Sequence, residues 1–261
     1  MFPLRDDIQS HHFPVVNIGL ILACVLVFLL QTGDSEGLVT DFGMIPARVS
    51  HPHEEIVVAR EQVVRTPLGS RIVTVEEPLP SPRFHPITTL LTCVFLHGSL
   101  LHLAGNLWFL WVFGDNVEDR MGPFGYLAFY LGSGIAASLT HYMFQPNSPV
   151  PTIGASGAVA GVMGAYLVLY PHARVTTLIP LFFILQILVV PAPIFLGIWF
   201  VIQLVQGTFS MGNTQAAGVA WWAHAGGFAF GALVAWLLRQ NDQPSQPRVR
   251  VVRVEPADRF R

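Results

Sequence analysis

Residues 153–170 read Ile-Gly-Ala-Ser-Gly-Ala-Val-Ala-Gly-Val-Met-Gly-Ala-Tyr-Leu-Val-Leu-Tyr, a run of small and apolar residues that carries a serine but no charge. This run lies within residues 121–238, where Arg174 is the only formally charged side chain. Over the whole chain 52% of residues are hydrophobic and 11% are charged, and the mean hydropathy is +0.53. Soluble globular proteins have about 25% charged residues. The composition therefore predicts an all-α polytopic membrane protein.

Apolar runs bounded by polar residues, Pro or Gly predict six membrane-spanning helices. The predicted spans are residues 14–31, 90–113, 123–144, 153–170, 192–207 and 220–238. Six spans put both termini on one side of the membrane. Arg5, Arg120, Arg174 and the Arg-rich tail then share that side, which the positive-inside rule identifies as cytoplasmic. The apolar run 178–190 is short for a full crossing of the membrane. It could be an interfacial segment, a re-entrant segment or a seventh span.

The chain is predicted to form one membrane domain over residues 1–240 and a disordered cytoplasmic tail over residues 241–261. A polar insert, about residues 33–87, is expected on the extracytoplasmic side. Its polar–apolar stretches 55–65 and 71–77 flank Thr66-Pro-Leu-Gly-Ser70, a pattern that predicts a small β-hairpin. A solvated loop that covers the bundle is the alternative interpretation of the insert.

Gly154-Ala-Ser156-Gly157 is the first motif with a chemical implication. It follows a Pro-rich loop and precedes an apolar run rich in small residues, so Ser156 is predicted to lie at a helix N-terminus. The first N–H groups of a helix lack intrahelical partners and the helix dipole favours negative charge there, so an oxyanion beside Ser156 would be stabilised. The alternative is an N-cap serine on a tightly packed helix, because small-residue motifs are common in membrane helices.

His224 lies in a second small-residue pattern, in which positions 220, 224, 227 and 231 share one helical face. Small residues permit close helix approach, which would bring His224 to Ser156. The predicted packing faces are Gly157 and Gly161 on the serine helix and Gly227 and Gly231 on the histidine helix. An ionisable residue in a bilayer suggests function, although a histidine bonded to a backbone carbonyl is the alternative. Because residues 121–238 contain no Asp or Glu, a Ser–His dyad is more economical than a triad.

His102 and Asn106 lie four residues apart and are predicted to share one helical face. In an acyl-transfer site both side chains would act as oxyanion donors beside the backbone N–H of Ser156. A metal site built from His97, His102 and His224 is a rival interpretation, weakened because no Cys or carboxylate completes it. Purely structural polar packing is a further alternative.

Together these motifs resemble those of the rhomboid family of intramembrane serine proteases. The resemblance covers about residues 85–240 and rests on the order and separation of four segments. These segments are His97-Gly-Ser-Leu-Leu-His102-Leu-Ala-Gly-Asn106, residues 114–122, Gly154-Ala-Ser156-Gly157 and Ala223-His224-Ala-Gly-Gly227. The chain departs from the family pattern at Thr88-Thr89, where many members have Trp-Arg, and at Ala160, where some members have an aromatic residue against the histidine.

The resemblance implies a six-helix bundle with Ser156 as the nucleophile and His224 as its general base. His102 and Asn106 would stabilise the oxyanion together with the backbone N–H of Ser156. It also implies a water-accessible cavity that opens on the extracytoplasmic side. The substrates would be proteins with a single transmembrane helix.

We therefore expect an intramembrane serine endopeptidase that uses no metal or cofactor. Its expected partners are single-span membrane substrates and the lipid bilayer, with no nucleic acid, and its expected location is a prokaryotic plasma membrane. One alternative is a catalytically inactive member of the same fold that binds membrane helices, which the presence of both Ser156 and His224 disfavours. A small-solute or metal transporter is less favoured, because intramembrane carboxylates and paired broken helices are weakly represented.

Overall fold

The computed structural model describes residues 1–66, 69–181, 184–210 and 220–241, and these are mostly helical. The helices are α1 (Val15–Gln31), α2 (Ser35–Phe42), α3 (Pro46–Ser50), α4 (Thr89–Thr92), α5 (Leu100–Met121), α6 (Pro123–Phe144), α7 (Ser156–Leu169), α8 (Ala192–Ser210) and α9 (Trp221–Asn241). The strands are β1 (Phe2–Asp6), β2 (Val57–Thr66), β3 (Gly69–Pro78), β4 (Arg174–Leu181) and β5 (Ile184–Pro191). Single 3₁₀ turns, Pro86–Thr88 and Cys93–Phe95, flank α4. The predicted tail lies outside the described residues from position 242 onward.

Two helices within the described ranges are long and apolar enough to cross a membrane, Ala192–Phe209 and Trp221–Gln240. The number rises to three if Pro86–Phe95 and Leu100–Met121, which meet at 78°, form one broken span. Helices α1 and α7 are apolar but shorter, with 17 and 14 residues. Length and composition therefore support two or three of the six spans that the sequence predicts.

The predicted span 90–113 is wrong as a continuous helix, because the chain bends between α4 and α5. The backbone is extended at Leu96, and α5 begins only after Ser99. The Ser99 hydroxyl accepts the backbone N–H of His102 at 3.1 Å, an N-cap that satisfies one of the unpaired donors of the first turn. His97 consequently precedes α5, whereas His102 and Asn106 lie in its first two turns.

The apolar run 178–190 is not a seventh helical span, because it falls within the antiparallel hairpin β4–β5. Arg174 pairs with Pro191 at the base of the hairpin, and Leu181 pairs with Ile184 at its tip. The N-terminal strand β1 pairs antiparallel with β4, which gives a three-stranded sheet in the order β1-β4-β5. Apart from leucine the run consists mainly of Ile, Val and Phe, residue types that are enriched in strands.

The insert contains α2, α3 and the antiparallel pair β2–β3, whose register runs from Val57 opposite Pro78 to Thr66 opposite Gly69. It is joined to the loop before α7 by a two-way backbone contact. The N–H of Met44 donates to the carbonyl of Thr152 at 3.1 Å, and the N–H of Thr152 donates back at 2.7 Å. The insert therefore restrains the loop that leads to Ser156.

Helix α7 is the centre of the bundle, with every residue from Gly157 to Tyr166 buried. It packs against α6 on one side and α9 on the other. Glycines permit the contact with α9, because a Cβ atom on any of several of them would overlap backbone of the facing helix. Such overlaps would occur between Gly164 and the carbonyl of Phe228, between Gly227 and the carbonyl of Gly157, and between Gly231 and the carbonyl of Gly161. The glycine faces named from the sequence thus meet in the structure.

Candidate active site

Ser156 is the first residue of α7, and the turn before it requires glycine. Gly154 has φ +129°, a conformation that residues with a Cβ rarely adopt. A Cβ at Gly154 would also approach the His102 imidazole to 2.7 Å. The glycine therefore allows the chain to turn sharply into α7 while His102 stays against the turn.

His224 lies in the first turn of α9 and contacts the serine across the α7–α9 interface. Its Nε2 atom is 2.7 Å from Ser156 Oγ, which is hydrogen-bond distance. The imidazole is buried, with 8% of the residue exposed. The close glycine packing of α7 against α9 produces this juxtaposition.

The other ring nitrogen of His224 contacts a residue that the sequence reasoning missed. Gln203, on α8, has its Oε1 atom 2.7 Å from His224 Nδ1. The Gln203 side chain is itself buried, and its Nε2 donates to the carbonyl of Trp199 at 3.2 Å. An available signal was a glutamine in the middle of an otherwise apolar run, since a buried amide requires hydrogen-bond partners.

His102 and Asn106 lie on the α5 side of the same cavity. Asn106 is buried, and its Nδ2 has no hydrogen-bond partner among the described residues. An unpaired buried amide donor is costly, so its presence beside a serine in a cavity indicates a position that a ligand oxygen can occupy. Position 106 is thus suited to donate to a substrate carbonyl.

His97 lies beside this site but is bonded to the protein rather than directed at Ser156. Its Nδ1 is 3.3 Å from the Phe95 carbonyl, and its Nε2 is 3.5 Å from the backbone nitrogen of Ala155. Its backbone N–H also donates to Gln31 Oε1 of α1 at 2.9 Å. A tautomer with the proton on Nδ1 satisfies both ring contacts, so His97 ties the turn before α7 to α1 and to the 3₁₀ turn Cys93–Phe95.

Ser156 and His224 line a cavity of about 670 Å³ whose walls are formed by residues of α5, α6, α7, α8 and α9, by the 3₁₀ turn Cys93–Phe95 and by the loops 98–99 and 152–154. None of its lining side chains within the described residues is Asp, Glu, Lys or Arg. No group of three or more His, Cys, Asp or Glu side chains in those residues is arranged to hold a metal ion. The polar side chains that line the cavity with Ser156 therefore include hydroxyls, imidazoles and amides.

A family model for the rhomboid domain matches residues 85–241, which is more than half of the chain. The chain belongs to the rhomboid family. The resemblance inferred from the four sequence segments is thereby confirmed. The match begins at the first 3₁₀ turn and ends with α9, so it includes every wall of the cavity.

Relatives of this rhomboid chain include both mitochondrial and bacterial proteins. It is 28% identical to Rhomboid protein 1, mitochondrial, of Saccharomyces cerevisiae over 163 residues, which is 59% of this chain and 42% of the relative. It is 44% identical to Rhomboid protease GluP of Bacillus subtilis over 78 residues, or 30% of this chain and 15% of the relative. It is 30% identical to the human Presenilin-associated rhomboid-like protein, mitochondrial, over 96 residues, or 36% and 25%. The alignments span less than half the length of each of these relatives.

Proposed function

We propose that this rhomboid protein is an intramembrane serine endopeptidase that cleaves a peptide bond in or near the transmembrane helix of a membrane protein. The observation that carries the proposal is the 2.7 Å contact between Ser156 Oγ and His224 Nε2 inside a cavity. A serine hydroxyl is a weak nucleophile until a base within hydrogen-bond reach accepts its proton. A helix N-terminus beside that pair adds donors for the charge that develops in acyl transfer.

In the proposed reaction Ser156 Oγ attacks the carbonyl carbon of the scissile peptide bond, and its proton passes to His224 Nε2. The tetrahedral intermediate collapses when His224 returns that proton to the leaving amine nitrogen. A water molecule, with His224 again as the base, then hydrolyses the acyl-enzyme and restores the Ser156 hydroxyl. The dyad carries both halves of the reaction and uses no metal or cofactor.

Three donors are assigned to the oxyanion: the backbone N–H of Ser156, the His102 ring and the Asn106 amide. The unpaired, buried Nδ2 of Asn106 supports this assignment, because a substrate oxygen would supply the partner that it lacks. Removing one such donor typically costs about 10²- to 10³-fold in kcat.

The substrate is proposed to be a single transmembrane helix that enters the cavity as an unwound strand. Helical hydrogen bonds shield the backbone carbonyls, so residues that weaken the helix, such as Gly or Pro, are expected near the cut site. We assign the six longest helices, α1 and α5–α9, as the spans of a membrane domain formed by residues 1–240, with both termini and the tail in the cytoplasm. A prokaryotic plasma membrane is the proposed location.

The experiment compares the wild type with Ser156→Ala after reconstitution into liposomes. Both are incubated with a fluorophosphonate, which labels activated serines, and with a reporter that contains a transmembrane helix. Ser156→Ala should lose labelling and at least about 10³-fold of the cleavage rate. Ser133→Ala is the matched control, since Ser133 is a buried serine on α6 whose hydroxyl has no partner among the described residues.

The outcomes separate the candidate functions. Labelling that survives in Ser156→Ala would exclude Ser156 as the nucleophile. A wild type that binds the reporter helix but neither cleaves it nor reacts with the probe would be a helix-binding member without catalysis. Equal loss in Ser133→Ala and Ser156→Ala would indicate a folding defect rather than loss of a nucleophile.

A further inference from the structure

The imidazole of His224 is bonded at both nitrogens, and the second bond comes from a helix that carries neither member of the proposed dyad. Nε2 contacts Ser156 Oγ, and Nδ1 contacts Gln203 Oε1, each at 2.7 Å. Gln203 is 5% exposed, in the middle of α8. A buried amide that forms a short contact with a buried imidazole is well placed to control its proton.

The orientation of the Gln203 amide follows from its other contact. Gln203 Nε2 lies 3.2 Å from the backbone carbonyl of Trp199, one turn earlier in α8. A carbonyl oxygen can only accept, so the NH₂ group must face Trp199 and the amide oxygen must face His224. An amide oxygen can likewise only accept, so Nδ1 of His224 must carry the proton.

We propose that Gln203 is the positioning residue for His224: its amide oxygen accepts the Nδ1–H and thereby leaves Nε2 free to take the proton of Ser156. This inference rests on the proposed function, because it names the group that prepares the general base. After proton transfer the ring carries protons on both nitrogens, and the Nδ1–H remains bonded to the Gln203 oxygen. The amide oxygen dipole then faces the positive charge as it forms.

Aromatic rings flank the same imidazole but do not select its tautomer. Trp199 lies 5.9 Å from the His224 ring centroid with the planes inclined at 38°, and Trp221 lies 6.0 Å away at 89°. Position 160, one turn into α7 after Ser156, is alanine and contributes no ring. The indoles limit where the ring can lie, whereas among the described residues it is Gln203 that makes a directional contact with Nδ1.

A glutamine suits this position better than a carboxylate for a physical reason. The cavity lining within the described residues holds no Lys or Arg side chain to pair with a carboxylate, and an unpaired charge at a buried position carries a large desolvation cost. A neutral amide supplies the same acceptor geometry without that cost. The consequence is weaker stabilisation of the imidazolium than an Asp would provide.

The test compares three variants of the full chain in liposomes by the rate of fluorophosphonate labelling and by kcat and KM on a transmembrane reporter. Gln203→Met keeps the length of the side chain and removes the acceptor, and it should reduce the labelling rate and kcat by about 10- to 100-fold with little change in KM. Gln203→Glu keeps an acceptor and should retain activity within about tenfold of the wild type. Gln206→Met, the same change at an exposed position three residues further along α8, should behave as the wild type.

The pH profile separates a positioning role from a packing role. A carboxylate facing Nδ1 stabilises the imidazolium, so the acid limb of kcat in Gln203→Glu should move to higher pH than in the wild type. A side chain at position 203 that does not contact Nδ1 would leave the pH limb unchanged, and one that only fills space would lose activity in Gln203→Met only together with a fall in unfolding temperature. If Gln203→Met does not fold, the Gln203→Glu profile alone carries the test.

The role of Gln203 and the proposed function would be contradicted by different experimental results. Wild-type labelling and kcat in Gln203→Met would overturn the role of Gln203 while leaving the Ser–His dyad intact. An unshifted acid limb in a folded and active Gln203→Glu would do the same. A wild type that is neither labelled nor active would overturn the proposed function and this inference together, since no general base would then exist for Gln203 to position.

Discussion

The α7–α9 pair and the wall formed by α8 with the β4–β5 hairpin pack in opposite ways. Between α7 and α9 the backbones meet at glycines, with no room for a Cβ at Gly164, Gly227 or Gly231. Helix α8 instead approaches α9 through aromatic rings, and Phe200 stacks on Phe228 with centroids 4.5 Å apart. The outer faces of α8 and of the hairpin carry exposed aliphatic side chains.

This difference indicates which packing contacts hold each residue of the proposed site in position. A misplacement of about 1 Å can cost about 10²-fold in rate, so the two reacting groups need a separation that does not vary. Ser156 and His224 lie on the two helices whose spacing is fixed by backbone contact. Gln203, which sets only the proton and rotation of the ring, comes from the wall whose contacts are made by side chains.

The largest loss of stability is expected from a substitution that breaks the backbone contact between α7 and α9. Gly164→Val should lower the free energy of unfolding by about 3 kcal/mol or more, because a carbonyl of the facing helix cannot move aside as a flexible side chain can. Thermal unfolding of the detergent-solubilised protein and the labelling rate of Ser156 measure the loss. Gly197→Val is the matched control, since a Cβ at Gly197 on α8 would meet no atom of the described residues within 4 Å. Equal stability of the two variants would contradict the contrast between the regions.

The next largest effect is expected at the turn that begins α7. Gly154→Ala combines a strained backbone, at φ +129°, with a Cβ directed at the His102 ring. Activity should fall by about 10²-fold through displacement of Ser156 and His102, as measured by kcat on a transmembrane reporter. Gly69→Ala provides strain without the clash, since Gly69 has φ +121° and no atom of the described residues lies within 4 Å of its Cβ position. Loss of activity in Gly69→Ala of the same size would assign the effect to general instability.

A smaller loss of stability is expected from a substitution in the aromatic contact between α8 and α9. Phe200→Ala removes the ring stacked on Phe228 and should cost about 1–2 kcal/mol, since Phe200 is only half-buried and the contact is between side chains. Activity should fall only a few-fold, because the α7–α9 spacing is untouched while Gln203 is held less firmly. Phe209→Ala, at an exposed position on the same helix, is the control for thermal unfolding and for activity. A loss as large as that of Gly164→Val would show that both regions are equally rigid.

The features that could be predicted from the sequence also differ between the α7–α9 pair and the wall formed by α8 and the β4–β5 hairpin. Glycine spacing and periodicity depend on local sequence, so the meeting of Ser156 with His224 could be anticipated from two segments read separately. The bend at residues 96–99 is hidden when the apolar residues on both sides of it are taken as one span, although Gly98 and the N-cap Ser99 interrupt them just before α5. The role of Gln203 was hidden because its partner is identified only by the packing of α8 against α9. The β1–β4 pairing joins Phe2 to Leu178, a separation at which no local pattern specifies a partner.

The last prediction concerns Asp6, which lies where the two regions meet. Its strand pairs with β4, and its carboxylate accepts hydrogen bonds from the Tyr166 hydroxyl of α7 and, at 2.9 Å, from Asn116 Nδ2. Burial raises the pKa of Asp6 from 3.8 to about 6, and the hydrogen bond from Tyr166 opposes part of that rise. Because the folded-state pKa is the higher one, the stabilising contribution is fully present below 3.8 and is lost as the pH rises through about 6.

Asp6→Asn should therefore remove one component of the pH dependence of unfolding. The unfolding temperature of the wild type relative to the variant should fall as the pH is raised from about 4 to about 7, measured by thermal unfolding at constant ionic strength. Asp34→Asn, which alters the N-cap of α2 instead, should retain the wild-type slope. Parallel curves for the wild type and Asp6→Asn would mean that the carboxyl is not enclosed between β1 and α7. The sheet would then be free to move without disturbing the helix that carries Ser156, and the rigid region would end within α7 rather than at β1.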